Sequence, residues 1–167
     1  MKVLGIDPGT ATVGFGLLAT EPGRPPRLIE CGVIRTQARA PLPLRLQAIH
    51  EGLNELFQRH HPDVLAVEDI FYATNARTTA VLGHARGVIL LSGALAGIPV
   101  AEYPPARIKK AIVGRGAALK PQVGYMVAKL LGLSAPPRPA DAADGVAVAL
   151  THVMIGGPVR IRTGSVR

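Results

Sequence analysis

Residues 2–19 read KVLGIDPGTATVGFGLLA, two apolar runs separated by a Pro-Gly-Thr turn. Apolar runs of this length, bounded by turn residues, predict β-strands, here over residues 2–6 and 14–19. A third run over residues 28–35 follows the proline-rich loop at residues 21–26. The order predicts an antiparallel meander of three strands at the start of the chain.

Helical and strand patterns alternate after this meander. Apolar side chains at helical spacing predict an amphipathic helix that ends near residue 60: Leu46, Ile49, Leu53, Leu56 and Phe57. Two short strands are predicted over residues 64–67 and 100–103, and three helices over residues 74–96, 123–131 and 140–152. We therefore predict an α/β fold of the ribonuclease H-like order, with a mixed sheet and helices on both faces. A single domain of this fold is predicted over residues 1–155, and the basic tail at residues 156–167 is predicted to be mobile.

The positive charge of the chain is concentrated in its second half. Lys and Arg exceed Asp and Glu by 8 in total. Every charged residue between Glu102 and Asp141 is basic: Arg107, Lys109, Lys110, Arg115, Lys120, Lys129 and Arg138. A block of one sign favours a polyanionic partner such as nucleic acid, because neutralised phosphates release counterions. A solvated basic face is the alternative explanation.

Composition also narrows the cellular setting. The chain contains no run of about 20 uninterrupted apolar residues, the length that a membrane span needs. The charged residues Lys2 and Asp7 lie inside the first apolar pattern, which is unlike a signal peptide. Cys31 is the only cysteine, so no disulfide can form within one chain. We therefore expect a cytoplasmic protein without a membrane partner.

Four carboxylates are predicted to converge. Asp7 ends the first strand and Glu68 the fourth, while Asp141 and Asp144 are three residues apart at the start of the last helix. Side chains at this spacing share one helix face, and such clustered carboxylates repel one another unless a cation neutralises them. Oxygen ligands favour Mg²⁺ or Mn²⁺, and two such ions would suit phosphodiester hydrolysis. Acids are also common in a first helical turn, where the helix dipole stabilises them.

The first motif has a second interpretation. Gly5-Ile-Asp-Pro-Gly9 followed by Gly14 is also typical of the phosphate-binding hairpin of the actin and sugar-kinase ATPases, which share this fold core. These ATPases generally use two lobes, which 167 residues hardly provide. The motif taken alone leaves nucleotide hydrolysis and nucleic-acid cleavage open.

Several separated motifs, in order, resemble the RuvC family of Holliday junction resolvases over residues 2–152. They are Gly5-Ile-Asp-Pro-Gly9, Val67-Glu-Asp-Ile-Phe71, Asn75, Leu82-Gly-His-Ala-Arg-Gly87, Glu102-Tyr103 with Lys109, Val113-Gly114, Lys120 with Gln122-Val123, and Ala140-Asp-Ala-Ala-Asp144. The resemblance implies a homodimeric endonuclease that makes symmetric nicks in two strands of like polarity of a four-way DNA junction. Ligatable ends, with 5′-phosphate and 3′-hydroxyl groups, would result, and the family also implies a branch-migration complex, RuvAB, as a partner.

The same resemblance assigns roles to individual positions. It implies that Asp7, Glu68, Asp141 and Asp144 hold two Mg²⁺ ions, with Mn²⁺ able to substitute, and that Lys120 is a further catalytic residue. It makes Phe71 an aromatic that stacks on a base. The predicted DNA contacts are Phe71, Tyr72, Asn75, Arg77, Lys109, Lys110, Arg115 and Lys120. The helix over residues 74–96, apolar on more than one side, is the predicted dimer interface, with burial inside one subunit as the alternative.

Three features depart from the family pattern. Asp69, Pro104-Pro105 and the short tail are less typical, and the prolines make the start of the segment that carries Lys109 uncertain. Three other functions remain as alternatives to junction cleavage. They are a non-catalytic junction-binding module, an RNA-processing nuclease related to the YqgF family, and a small ATPase.

Overall fold

The predicted meander is present in the computed structural model, which describes residues 1–70 and 76–156. Strands β1 (Lys2–Asp7), β2 (Thr12–Ala19) and β3 (Arg27–Arg35) pair antiparallel in chain order. The residues of β1 alternate between the two faces of the sheet. Val3 packs with one apolar cluster and Leu4 with the other.

Two further strands complete the sheet on the other side of β1. Strand β4 (Val64–Glu68) runs parallel to β1, and β5 (Val100–Tyr103) runs parallel to β4, which gives the order β3-β2-β1-β4-β5. Parallel strands end at the same edge of a sheet. The last residues of β1 and β4, Asp7 and Glu68, therefore lie at one edge.

Helices cover both faces, so the predicted fold class is confirmed. Helices α1 (Leu42–His60) and α2 (Ala76–Leu95) pack over the face that contains Leu4. The opposite face is covered by α3 (Pro105–Val113), α4 (Lys120–Leu130) and α5 (Ala140–Ile155). The chain thus forms three layers, with the mixed sheet in the middle.

Helix α3 was not predicted from the sequence. Pro104 occupies the N-cap position and Pro105 lies in the first turn, where a residue needs no N–H donor. The two prolines that left the start of this segment uncertain therefore mark a helix start. Ile108 and Ile112, one turn apart, are its buried side chains.

Helix α2 has the multi-sided apolar character that its sequence predicts. Ala85 and Ile89 are buried against the sheet, whereas Leu91 and Leu95 are 56% and 71% exposed. Although basic residues interrupt it, α2 is long and apolar enough to cross a membrane by length and composition alone. Core helices of soluble proteins often have the same length and composition. Only 22% of the apolar 18-residue stretch of α2 is buried, so most of this stretch is uncovered in one chain.

Candidate active site

Glycines bring α5 unusually close to the sheet. A Cβ atom on Gly5 would overlap the backbone of α5 at Gly145 and Ala149, and one on Gly14 would overlap the backbone oxygen of Asp141. Only residues without a side chain permit this approach. The start of α5, with Asp141 in its first turn and Asp144 one turn further on, therefore lies directly against the end of β1 and the start of β2.

This packing changes the interpretation of the glycine-rich hairpin. Gly5 and Gly14 were compatible with a phosphate-binding hairpin, but the space beside each of them is filled by α5. Their lack of a side chain is explained by contact between helix and sheet. The small-ATPase alternative therefore loses Gly5 and Gly14 as support.

Three of the predicted acids meet at this edge. Ligand oxygens of Asp7, Asp141 and Asp144 all lie within 4.8 Å of one another. The three side chains are partly buried. Asp7 is placed by the end of β1, and the other two by their spacing of three residues in α5.

Glu68 joins the cluster through Asp7. The two carboxyl groups share a hydrogen bond that lowers the pKa of Asp7 and raises that of Glu68, so Glu68 is the protonated donor. Burial is the main reason that the pKa of Asp7 rises to about 6 and that of Glu68 to about 8, with repulsion from neighbouring acids adding to it. In the absence of a cation, burial therefore favours retention of a proton by this pair at neutral pH.

Two lysines form the basic side of the same cleft. Lys120, the first residue of α4, places its Nζ atom 2.7 Å from Oδ2 of Asp144. Lys109, from α3, lines the same cavity of about 110 Å³ together with Asp7 and Glu68. The hydrogen bond to Asp144 is the main cause of the raised pKa of Lys120, so its ammonium stays charged.

The donor set fits a hard divalent cation. All ligand atoms in the cluster are carboxylate oxygens, which Mg²⁺ and Mn²⁺ prefer, and residues 1–70 and 76–156 add no nitrogen or sulfur ligand to it. The raised pKa values of Asp7 and Glu68 indicate that burial and repulsion between the acids outweigh the positive charge that Lys120 supplies. A cation would supply it.

The remaining predicted DNA contacts fall into two groups. Arg77, Lys110 and Arg115 are exposed, the first at the start of α2 and the others in or after α3. Phe71, Tyr72 and Asn75 lie outside the described residues, as does the predicted tail from residue 157.

Sequence reasoning missed two features of this edge. One is the set of glycines that lets α5 approach the sheet, for which the signal was the alternation of Gly14 with Gly16 in β2 together with Gly145 in the last helix. The other is an ion-pair cluster in which Arg86 of α2 contacts Asp69 and Glu102. Arg86 lies in the Leu82-Gly-His-Ala-Arg-Gly87 motif, and its sequence context does not indicate these partners.

A family model described as crossover junction endodeoxyribonuclease RuvC matches residues 3–152. The chain is 54% identical over 153 residues to the RuvC of Syntrophomonas wolfei, covering 92% of this chain and 88% of that protein. It is 43% identical over 164 residues to the RuvC of Brevibacillus brevis, covering 98% of each.

Comparison with solved structures gives the same family. The fold is similar to Thermus thermophilus RuvC in complex with Holliday junction substrate, with a TM-score of 0.85 and 37% identity. This similarity covers 92% of the present chain and 93% of that chain. The yeast mitochondrial Holliday junction resolvase Ydc2 has a TM-score of 0.66 at 16% identity over 89% of this chain and 76% of that one, a likeness of fold alone.

Proposed function

This chain belongs to the RuvC family of crossover junction endodeoxyribonucleases, and we propose that it resolves Holliday junctions by nicking two strands of like polarity. The observation that carries this proposal is the cluster of Asp7, Asp141 and Asp144, whose oxygens lie within 4.8 Å beside a basic side wall. Ends with 5′-phosphate and 3′-hydroxyl groups would follow from hydrolysis on the 3′-oxygen side of the phosphate. Recombination and DNA repair are the processes that such an activity would serve.

The four acids are proposed to hold two divalent cations, Mg²⁺ or Mn²⁺. When bound, the ions would supply charge neutralisation and an activated water for attack on the phosphodiester. The acids themselves hold position: Asp7 and Glu68 are fixed by the ends of β1 and β4, and Asp141 and Asp144 by α5. Because Glu68 donates a proton to Asp7 without a cation, loading of the site is expected to release protons.

Lys120 and Lys109 are proposed to contact the backbone near the scissile phosphate. Lys120 is 71% exposed while its partner Asp144 is 17% exposed, so the ammonium can turn toward a bound strand. A fixed positive charge there would stabilise the charge that grows on the phosphate oxygens as the bond breaks. Arg77, Lys110 and Arg115, with Phe71, Tyr72 and Asn75, complete the proposed DNA surface.

A homodimer is proposed because a four-way junction presents equivalent strands related by a two-fold axis. Helix α2 is the proposed interface, since its exposed side carries Leu91 and Leu95. An apolar helix face of this kind is typical of surfaces that meet another chain. Association with the RuvAB branch-migration complex and a cytoplasmic location complete the proposal.

A synthetic mobile four-way junction tests the proposal directly. Incubation with Mg²⁺ or Mn²⁺ should yield paired nicks at two-fold-related positions, mapped on each labelled strand. Asp7→Asn should abolish the nicks while junction binding survives, with the exposed acid variant Glu51→Gln as a matched control. Tight binding without nicking would identify a junction-binding module, and preferential cleavage of RNA would identify an RNA-processing nuclease.

A further inference from the structure

Arg86, in the middle of α2, joins this helix to the ends of two neighbouring strands. Its Nη2 atom lies 3.2 Å from Oδ1 of Asp69 and forms a second ion pair with Oε2 of Glu102. Asp69 directly follows the last residue of β4, and Glu102 lies within β5. One guanidinium therefore connects three elements at the sheet edge that carries the acids.

Two further hydrogen bonds fix Asp69, the residue next to Glu68. The Asp69 amide donates to the Tyr103 carbonyl over 2.9 Å, and Asp69 Oδ1 accepts the Ile70 amide over 2.8 Å. Successive side chains at the end of a strand point to opposite faces of the sheet. Asp69 is thereby held toward α2, while Glu68 faces the acid cluster.

The surroundings of Arg86 indicate a role in positioning. Its side chain is 25% exposed, and within residues 1–70 and 76–156 its buried Nε atom has no hydrogen-bond partner. A buried donor without an acceptor opposes folding, and partly buried ion pairs add little net stability. The ion pairs of Arg86 thus add little to the free energy of unfolding, but they fix the positions of Asp69 and Glu102.

We infer that Arg86 is a positioning residue for the acid cluster, an inference that rests on the nuclease function proposed above. By holding Asp69 and Glu102, it keeps the end of β4 in place, so that Glu68 reaches Asp7 and the fifth carboxylate, Asp69, stays out of the cluster. Arg86 touches no reacting atom in this role. Its effect passes through the position of Glu68.

Arg86→Ala is the first test, with two readouts. Misplacement of Glu68 should lower kcat on a saturating four-way junction by about 10- to 100-fold, with a small change in the junction Kd. Calorimetric titration of the DNA-free protein with Mn²⁺ should show weaker binding, independent of activity. Arg86→Lys keeps the charge without the planar fork and should give intermediate values in both measurements.

Two companion variants make the result specific. Adding Asp69→Asn to Arg86→Ala removes the freed carboxylate and should recover part of the lost Mn²⁺ affinity. Arg59→Ala breaks an exposed ion pair with Glu30, on the strand at the far side of the sheet, and should leave both readouts unchanged. If Arg86→Ala does not fold, Glu102→Gln removes one partner of the cluster and should shift kcat and Mn²⁺ affinity in the same direction.

The inference is overturned if a folded Arg86→Ala, or Glu102→Gln in its place, keeps kcat and Mn²⁺ affinity within about twofold of the wild type. A loss equal to that of Arg59→Ala would overturn it as well. Failure of the wild type to nick junctions would instead remove the proposed nuclease function. The Mn²⁺ titration of Arg86→Ala would still decide whether Arg86 positions the acids.

Discussion

The ammonium of Lys120 lies 2.7 Å from the carboxylate of Asp144, so a cation from α4 meets an acid from α5 inside the proposed active site. The pair has unequal exposure, since Lys120 is 71% exposed and Asp144 only 17%. In the protein alone, the lysine provides part of the positive charge that the cluster requires. Bound cations and substrate phosphate would compete for the two partners.

Lys120→Ala should therefore separate catalysis from metal binding. We expect kcat for junction cleavage to fall by about 100- to 1000-fold, because a charge near the developing oxyanion is lost. Mn²⁺ affinity should be unchanged or higher, since Asp144 no longer pairs with an ammonium. Single-turnover cleavage and calorimetric titration measure the two effects, and Lys129→Ala, at the other end of α4, is the control.

A parallel loss of Mn²⁺ affinity in Lys120→Ala would contradict this division of roles. It would mean that the lysine organises Asp144 for binding the cation. Retention of the wild-type kcat would show that Lys120 is a surface charge, the alternative that its sequence context alone favours.

The close approach of α5 to the sheet gives a second prediction. Gly14→Ala places a Cβ atom against the backbone oxygen of Asp141, so α5 must shift. We expect the free energy of unfolding to fall by about 1 to 3 kcal/mol, as for other overpacked positions. Because Asp141 and Asp144 move with the helix, Mn²⁺ affinity and cleavage should fall as well.

Gly124→Ala is the matched control for this substitution. Gly124 lies in α4, and an added Cβ would meet only Pro136 at 3.7 Å, an ordinary contact. Alanine should raise the free energy of unfolding by about 0.5 to 1 kcal/mol through helix propensity. Denaturant unfolding of both variants measures the contrast, and equal effects of the two substitutions would refute the packing argument.

These glycines also show where sequence reasoning reached its limit. The strand patterns, the amphipathic α1 and the ends of β1 and β4 follow from local periodicity, so the edge that carries Asp7 and Glu68 could be predicted. The role of Gly14 depends on α5, which lies more than 120 residues further along the chain. No local pattern reports a contact of that kind.

Helix α3, in the basic segment after β5, was missed for a different reason. Two consecutive prolines normally interrupt secondary structure, yet here Pro104 and Pro105 lie at the N-cap and in the first turn, where a helix tolerates proline. The Arg86 cluster was equally hidden, because the pairing of one arginine with acids on two strands depends on tertiary packing. The number and order of charged residues in the sequence do not indicate that Arg86 pairs with Asp69 and Glu102.

The shared proton of the acid pair predicts a pH dependence of stability. The folded pKa of Glu68, about 8, exceeds its ordinary value of 4.5 because the group is buried among acids. The folded state thus binds more protons than the unfolded state between these values, and stability is lost as pH rises from about 4.5 to 8. Thermal unfolding in EDTA should show a Tm that falls across this window.

Glu68→Gln isolates this contribution. Glutamine cannot ionise, so the Tm difference between variant and wild type should grow in favour of the variant as pH rises toward 8 in EDTA. Saturating Mg²⁺ should reduce the difference, because a bound cation stabilises the ionised wild-type cluster. A constant difference across the pH range would show that Glu68 does not titrate with the fold.

The exposed side of α2 supplies the last prediction. Leu91 and Leu95 are 56% and 71% exposed in one chain, and the proposed dimer would bury them. Leu91→Lys with Leu95→Lys places two charges in that interface, so sedimentation should show a monomer. Leu44, also 56% exposed but at the start of α1, provides the control Leu44→Lys, which should remain dimeric.

A monomer carries one set of acids, so it should lose paired nicking of a junction while its Mn²⁺ affinity stays unchanged. Dimers that persist in the double variant would place the interface elsewhere.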